Sequence, residues 1–202
     1  MQRESYMNIQ VIIASTRPNR LGERVGKWVA GVAAQKGGFN VDVVDLADYD
    51  LPHFDEAVSP RFNPDRRPHP AVRRWLAKAS RADGYVIVTP EYNHSIPGVL
   101  KDALDFLDWQ FTKKPVAIVS YGTVGGARAA EQLKQILIEV KAAVVPEAVA
   151  LLGAGGVIDE SGQFTGDTTS PRSPVGSLNK TLDELAWWTE TLKVGREIPA
   201  VI

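Results

Sequence analysis

No cysteine occurs among the 202 residues, which excludes a disulfide framework, a thiolate nucleophile and thiolate metal sites. No apolar run reaches membrane-spanning length, and the polar opening, residues 1–8, lacks the hydrophobic core of a signal peptide. A cytoplasmic location away from membranes is therefore expected. Excess charge is missing too: 23 Lys and Arg stand against 24 Asp and Glu, which removes the broad electrostatic reason to expect nucleic acid as partner. Finally, neither G-x-x-x-x-G-K-[ST] nor G-x-G-x-x-G follows the first apolar run, so NTPase and dinucleotide-fold readings lose their main support.

What the chain does contain is a repeated unit of strand, polar loop and helix. Residues 85–89, YVIVT, form a β-branched run of the kind buried on both faces of a parallel sheet. Pro90 ends it by removing an N–H donor and constraining Thr89. A polar loop follows, then a helix marked by Val99, Leu100, Ala103, Leu104 and Leu107, with Pro97 near its start and Ser95 as its expected cap. Residues 9–14 read as the first strand, and residues 1–8 are expected to lie outside the fold. After the loop at 15–22 comes a helix face of Val25, Trp28, Val29, Val32 and Ala33. Residues 39–46 suit a strand near a sheet edge, 71–79 a short helix, 115–120 a strand, and the face of Ala129, Leu133, Ile136, Leu137 and Val140 a further helix.

Residues 144–152 read as a last strand, placed at an edge by Pro146. Residues 47–70 form a long loop expected to serve function or a partner. Residues 153–177 form an irregular excursion, and 178–192 a closing amphipathic helix. Alternating strands and helices demand right-handed crossovers and a covered parallel sheet. The expected fold is one flavodoxin-like α/β domain over 1–202, a three-layer sandwich with five strands in the order 2-1-3-4-5.

In such a sheet every strand-to-helix loop opens on the carboxyl edge, where ligands bind. The first loop offers Ser15 and Thr16 hydroxyls, the Arg17 and Arg20 guanidiniums, and Gly22 at a helix N-terminus, a set suited to a phosphate monoester. The competing reading is a helix cap beside two solvated arginines. The second loop brings backbone amides, Tyr92 and Asn93 to bear on a flat heterocycle such as isoalloxazine, or else is simply a turn. Glu91 reads as a loop-bracing group rather than a catalytic acid, and His94 as a surface or interface residue. The third loop places glycines where backbone approaches a ligand or takes positive φ. Trp28, Trp75, Trp187 and Trp188 read as packing, and Trp109 as a ligand or subunit contact.

Three stretches, IIASTRPNRLGERVGKWV, TPEYNHSIPGVLKDALDFL and SYGTVGGARAAEQLK, together resemble the NADPH-dependent FMN reductase family, flavodoxin-like enzymes related to quinone, azo and chromate reductases. The resemblance implies that Ser15, Arg17, Arg20, Leu21 and Gly22 hold an FMN phosphate. It likewise implies that Pro90, Glu91, Tyr92 and Asn93 border the flavin, and that Ser120, Tyr121, Gly122 and Gly125 close its other side. Many members carry Ser where this chain has Arg20 and Asn where it has Gly22. Also implied are NADPH or NADH as co-substrate, a small electron acceptor (free flavin, quinone, azo compound or metal oxyanion) and a homodimer or homotetramer. No catalytic acid or base is expected, because the cofactor carries the chemistry. Two readings compete with the reductase: a flavodoxin-type electron carrier, which near-neutral charge disfavours, and a non-enzymatic binding protein of the same fold.

Overall fold

Nearly uninterrupted β-branched runs make the inner strands of the computed structural model, which describes residues 6–198. Strand β1 is Met7–Ile13, β2 Phe39–Asp45, β3 Gly84–Pro90, β4 Pro115–Gly122 and β5 Ala143–Leu152. All pairings are parallel, in the order β2-β1-β3-β4-β5. Every residue of β3 is buried, as expected for a central strand covered on both faces. Strand β5 lies at an edge, and its register with β4 slips between Val116 and Ile118, opposite the stretch that holds Pro146. A proline lacking its N–H is tolerated at such an irregular edge.

Helices α1 (Gly22–Gln35), α2 (Pro70–Ala79), α3 (Gly98–Asp105), α4 (Ala127–Glu139), the short α5 (Ala154–Val157) and α6 (Pro174–Glu197) complete the chain. One face of the sheet packs Val86 and Val88 against Val25, Trp28 and Val29 of α1 and Leu178, Leu182 and Leu185 of α6. The other packs Tyr85 and Ile87 against Trp75 of α2, Leu100 and Leu104 of α3, and Leu133 of α4. The two-residue period of the strand thus assigns its side chains alternately to the two layers. Trp75 also donates its Nε1 to the Ala103 carbonyl at 2.8 Å, joining α2 to α3. Truncating a buried tryptophan of this kind costs roughly 3–5 kcal/mol. Among the described residues, no helix is long and apolar enough to cross a membrane.

Several expectations shift. Of the presumed leader 1–8, Met7 and Asn8 belong to β1, because β2 offers them a pairing partner; residues 1–5 lie outside the described residues. The segment 47–70 is held by Arg66, whose nearly buried guanidinium binds Glu56 at 2.7 Å and 2.8 Å and the Phe106 carbonyl at 2.8 Å. Helix α6 begins at Pro174, capped by Ser173, whose Oγ accepts from the Gly176 N–H; the irregular excursion is correspondingly shorter. Trp28 and Trp75 are buried and Trp188 packs partly against the core. Trp187 departs from its expected packing role: it is 59% exposed, touching Trp188 edge-on.

Candidate active site

Each parallel strand delivers its following loop to one edge of the sheet, and register sets their relative heights. Ile13 lies beside Val88, and Pro90 beside Tyr121, so residues 15–22, 91–97 and 122–126 meet there. The meeting is a physical contact. Ser15 Oγ and the Tyr92 hydroxyl lie 2.6 Å apart, although 77 residues separate them. The Arg17 guanidinium sits 5.5 Å from the Tyr92 ring centroid, within cation–π range. The Tyr121 hydroxyl joins the cluster: Ser15 and Tyr92 both influence its ionisation. Burial first, and then the neighbouring Tyr92, raise the Tyr121 phenol above its ordinary value, so it remains a protonated hydroxyl at neutral pH.

The cluster faces the start of α1, a 14-residue helix whose N-cap, Leu21, supplies no side-chain hydrogen bond. Its first-turn N–H groups are therefore left for an external acceptor, and the helix dipole favours an anion there. The alternative of Ser15 or Thr16 capping this helix is not what the structure contains. Gly22 permits the close approach: a Cβ built on it would lie 2.9 Å from the Tyr121 oxygen and 3.2 Å from Ile13 Cγ2. Three hydroxyls, one exposed guanidinium and an uncapped helix start form a donor set that fits a phosphate monoester.

Arg20 takes another role than the expected phosphate contact. Its guanidinium is ion-paired to Asp45 and, at 2.7 Å, to Glu23. The cause is register: Asp45 ends β2 opposite Ile13, which sets a carboxylate beside the first loop. Sequence reading missed Asp45, although an acid closing the strand next to β1 was a usable signal. Arg17 is thus left as the exposed cation of the loop.

In the central loop, Tyr92, Asn93, His94 and Ser95 form a tight turn. Asn93 and His94 take φ values of 49° and 70°, and Tyr92 and Ser95 exchange two backbone hydrogen bonds of 2.9 Å and 3.0 Å. This is the hairpin turn that requires positive φ at both central positions. Glu91 N–H is spent on the Tyr121 carbonyl at 3.0 Å, and Pro90 has no N–H to give. Among the described residues, the loop amides left without an acceptor in the chain are those of Asn93, His94 and Ile96. Ser95 does not cap α3, whose N-cap is Pro97; its hydroxyl donates instead to Gln132 Oε1 at 2.6 Å.

Glu91 has the bracing role expected of it. Its carboxylate accepts from Arg128 Nε at 2.6 Å and from the Arg128 backbone N–H at 3.1 Å. The Arg128 guanidinium beside Glu91 holds its carboxyl below the usual range, so it stays ionised and ties the central loop to the start of α4. The third loop turns on Gly125 and Gly126, at φ 69° and 74°. Ser120 is buried, and its Oγ donates to the Gly125 carbonyl at 2.8 Å. Gly126 meets both conditions expected of the loop's glycines, positive φ and close approach, since a Cβ there would lie 2.7 Å from the Tyr121 amide nitrogen. Beyond it, Leu21, Tyr121, Gly122 and Thr123 line a cavity of about 530 Å³ shared with Gly153 and the start of α5. His94 is exposed, and Trp109 lies past α3 beside Lys113 and Lys114, at the opposite edge of the sheet from these loops. Within this chain Trp109 therefore lies away from the carboxyl-edge loops.

Known proteins match this arrangement. The family model for NADPH-dependent FMN reductase matches residues 7–156. An NAD(P)H-dependent FMN reductase of Schizosaccharomyces pombe is 35% identical over 183 residues, 88% of each chain. A quinone reductase of Escherichia coli K12 is 42% identical over 146 residues, covering 69% of this chain and 73% of the relative. Among solved structures, the flavoenzyme NAD(P)H:(acceptor) oxidoreductase FerB from Paracoccus denitrificans shares the fold, with a TM-score of 0.70 at 23% identity over 92% of this chain and 98% of that one. A family match running from the first strand past the last, together with a relative 35% identical over 88% of both chains, means that this chain belongs to the NADPH-dependent FMN reductase family.

Proposed function

We propose that this chain is an FMN-dependent NAD(P)H oxidoreductase that seats its cofactor's phosphate among Ser15, Arg17, Tyr92 and Tyr121 at the start of α1. The observation that carries the reading is the 2.6 Å contact between Ser15 and Tyr92, which makes one site of two loops far apart in sequence. FMN, when bound, supplies the two-electron chemistry, accepting hydride from NADPH or NADH and yielding it to a small acceptor.

The chain's own residues do the rest. One hydroxyl hydrogen of the Ser15–Tyr92 pair is spent between them, and the other, with that of Tyr121, is free to donate to phosphate oxygens, while Arg17 and the α1 amides supply positive potential. Leu21 and Gly22 let backbone come close. The free Asn93 amide, held rigid by its turn, suits an acceptor atom of a flat ring, and Pro90 and Gly122 flank that position. Ser120 and Gly125 fix the third loop's shape, while Glu91 and Arg128 lock the central loop to α4. Arg20 orders the phosphate loop through Asp45. No side-chain acid or base is required.

A flat, open site over a flavin would admit free flavin, quinones, azo compounds and metal oxyanions alike as the small acceptor. A single domain, a cytoplasmic location and a homodimer or homotetramer complete the reading. They are supported by one continuous sheet, by the lack of cysteine, and by exposed apolar residues such as Trp187 and Ile138. The test is the absorption spectrum of the purified protein with FMN, followed by anaerobic titration with each nicotinamide. A flavin spectrum bleached by NADPH or NADH is expected. Bound flavin that neither reductant bleaches would make the chain an electron carrier, and failure to hold FMN would make it a binding protein of another kind. Replacing the exposed cation, Arg17→Ala, should weaken FMN roughly tenfold or more while leaving riboflavin within a few-fold, because a charged hydrogen bond contributes about 1.5–3 kcal/mol.

A further inference from the structure

The opposite edge of the sheet carries a second concentration of charge that the flavin chemistry does not use. At the amino ends of β3 and β4, a cavity of about 490 Å³ is lined by Arg81, Asp83, Trp109, Lys113, Lys114 and Arg196, among others. Four cationic side chains there face one carboxylate. That carboxylate is already engaged: Asp83 pairs with Lys193 at 2.9 Å and Arg196 at 3.5 Å. Lys114 donates to the Ser80 carbonyl at 3.0 Å, and Arg196 to the Lys113 carbonyl at 2.9 Å. Among the described residues, the side chains of Arg81 and Lys113 have no partner, and both are exposed.

This backbone is held in place. Lys113 takes φ 56°, a conformation uncommon outside glycine, and it is fixed by its N–H to the Lys141 carbonyl at 2.8 Å and by the Arg196 bond to its own carbonyl. Lys114 is 7% exposed, and burial first, then the like charge of Arg196, lower its ammonium to about 8. A bound anion would relieve that deficit. Trp109, 58% exposed, borders the same cavity. Its position is set by a turn in which the Thr112 N–H donates to the Trp109 carbonyl at 2.9 Å.

We propose that this amino-edge cavity is a binding site for a nucleoside phosphate, its base against Trp109 and its phosphate between Arg81 and Lys113. Planar aromatic and anionic groups are joined in that class of ligand, and its two halves match the two kinds of wall. Stacking of a base on an aromatic side chain contributes about 1–3 kcal/mol, and the cavity lies within the size range of small-molecule sites. Strand β3, with seven residues, separates this edge from the flavin loops by about 20 Å at the usual rise per residue. The ligand here is consequently not the hydride donor.

The test uses FMN-loaded protein titrated with ADP, adenosine and inorganic pyrophosphate by calorimetry. Wild type is compared with the double variant Arg81→Ala, Lys113→Ala and with Trp109→Ala. These side chains are exposed, so circular dichroism and the flavin absorbance should stay unchanged. Expected are ADP binding weakened at least tenfold by either variant, adenosine binding too weak to measure, and pyrophosphate weaker than ADP and insensitive to Trp109→Ala. ADP binding that neither variant weakens belongs to the flavin edge and overturns the proposal, as does no ADP binding at all. Flavin loading is read separately in each sample, so failure here and failure of the FMN reading are distinct.

Discussion

Tyr92→Phe removes one oxygen and leaves the ring, and the structure specifies what that oxygen does. Its partner, Ser15 Oγ, lies 2.6 Å away in a residue with no exposed surface. In the protein without cofactor, the change deletes one partly buried neutral hydrogen bond, worth about 1 kcal/mol net. For a domain of this size that lowers the melting temperature by roughly 2–4 °C. With FMN the loss is larger, because a hydroxyl directed at a phosphate oxygen contributes about 1.5–3 kcal/mol, corresponding to roughly 10- to 150-fold in Kd. Riboflavin lacks the phosphate, so its affinity should move by no more than about threefold, the share owed to a slightly looser loop. Quenching of flavin fluorescence on titration with apoprotein measures both constants directly. Equal losses for FMN and riboflavin would place the Tyr92 hydroxyl against the ring and refute the phosphate cradle. A loss for neither would remove Tyr92 from the site altogether.

Two further changes test the scaffold. Glu91→Gln breaks the ionic tie to Arg128; because the folded carboxyl is held below its ordinary value by that guanidinium, its contribution is present at neutral pH and disappears as pH falls through the folded value. The melting-temperature gap between wild type and Glu91→Gln should therefore be widest at neutral pH and should close only in acid, below the ordinary glutamate range; a gap that widens in acid would contradict the assignment. Lys114→Met replaces a buried ammonium lowered from 10.5 to about 8. The unfolded chain binds the proton more tightly than the folded one between those values, so wild-type stability should rise with pH across that window by roughly 2–3 kcal/mol relative to the variant, at about 1.4 kcal/mol per pH unit. Denaturant unfolding at pH 7 and pH 10 measures it, and a flat difference would show that the lysine is not buried as described.

The architecture was largely legible because its signals are local. The run at 85–89 announced a two-face-buried strand, Pro146 announced an edge, and the alternation of strand and helix left few topologies open. Errors occurred where a local rule met a tertiary partner. Ser95 had the composition and place of a helix cap, yet Gln132 on α4 took its hydroxyl. Ser173 and Pro174 did carry the start signal of α6, but they sat in a stretch so rich in Gly, Ser and Pro that turn chemistry masked it. Residues 47–70 read only as a long functional loop because Arg66, besides Glu56 within it, is anchored by Phe106 and Asp108, some forty residues on.

The site divides along the same line. That three loops converge follows from any parallel sheet in this order, so it could be inferred before a single contact was known. Which side chain does what inside the convergence depends on strand register, to which composition is blind. A hydroxyl of Tyr92 reaches Ser15 because β3 lies beside β1, with Ile13 opposite Val88, and Arg20 turns from solvent to Asp45 because β2 ends opposite the same Ile13 on β1's other flank. The two arginines of the first loop look interchangeable as a sequence pattern. They are separated only by the strand that happens to end in an acid, and this is why Arg17→Ala should discriminate FMN from riboflavin whereas Arg20→Ala, which loosens the whole loop, should weaken every flavin whose binding requires that loop to be ordered.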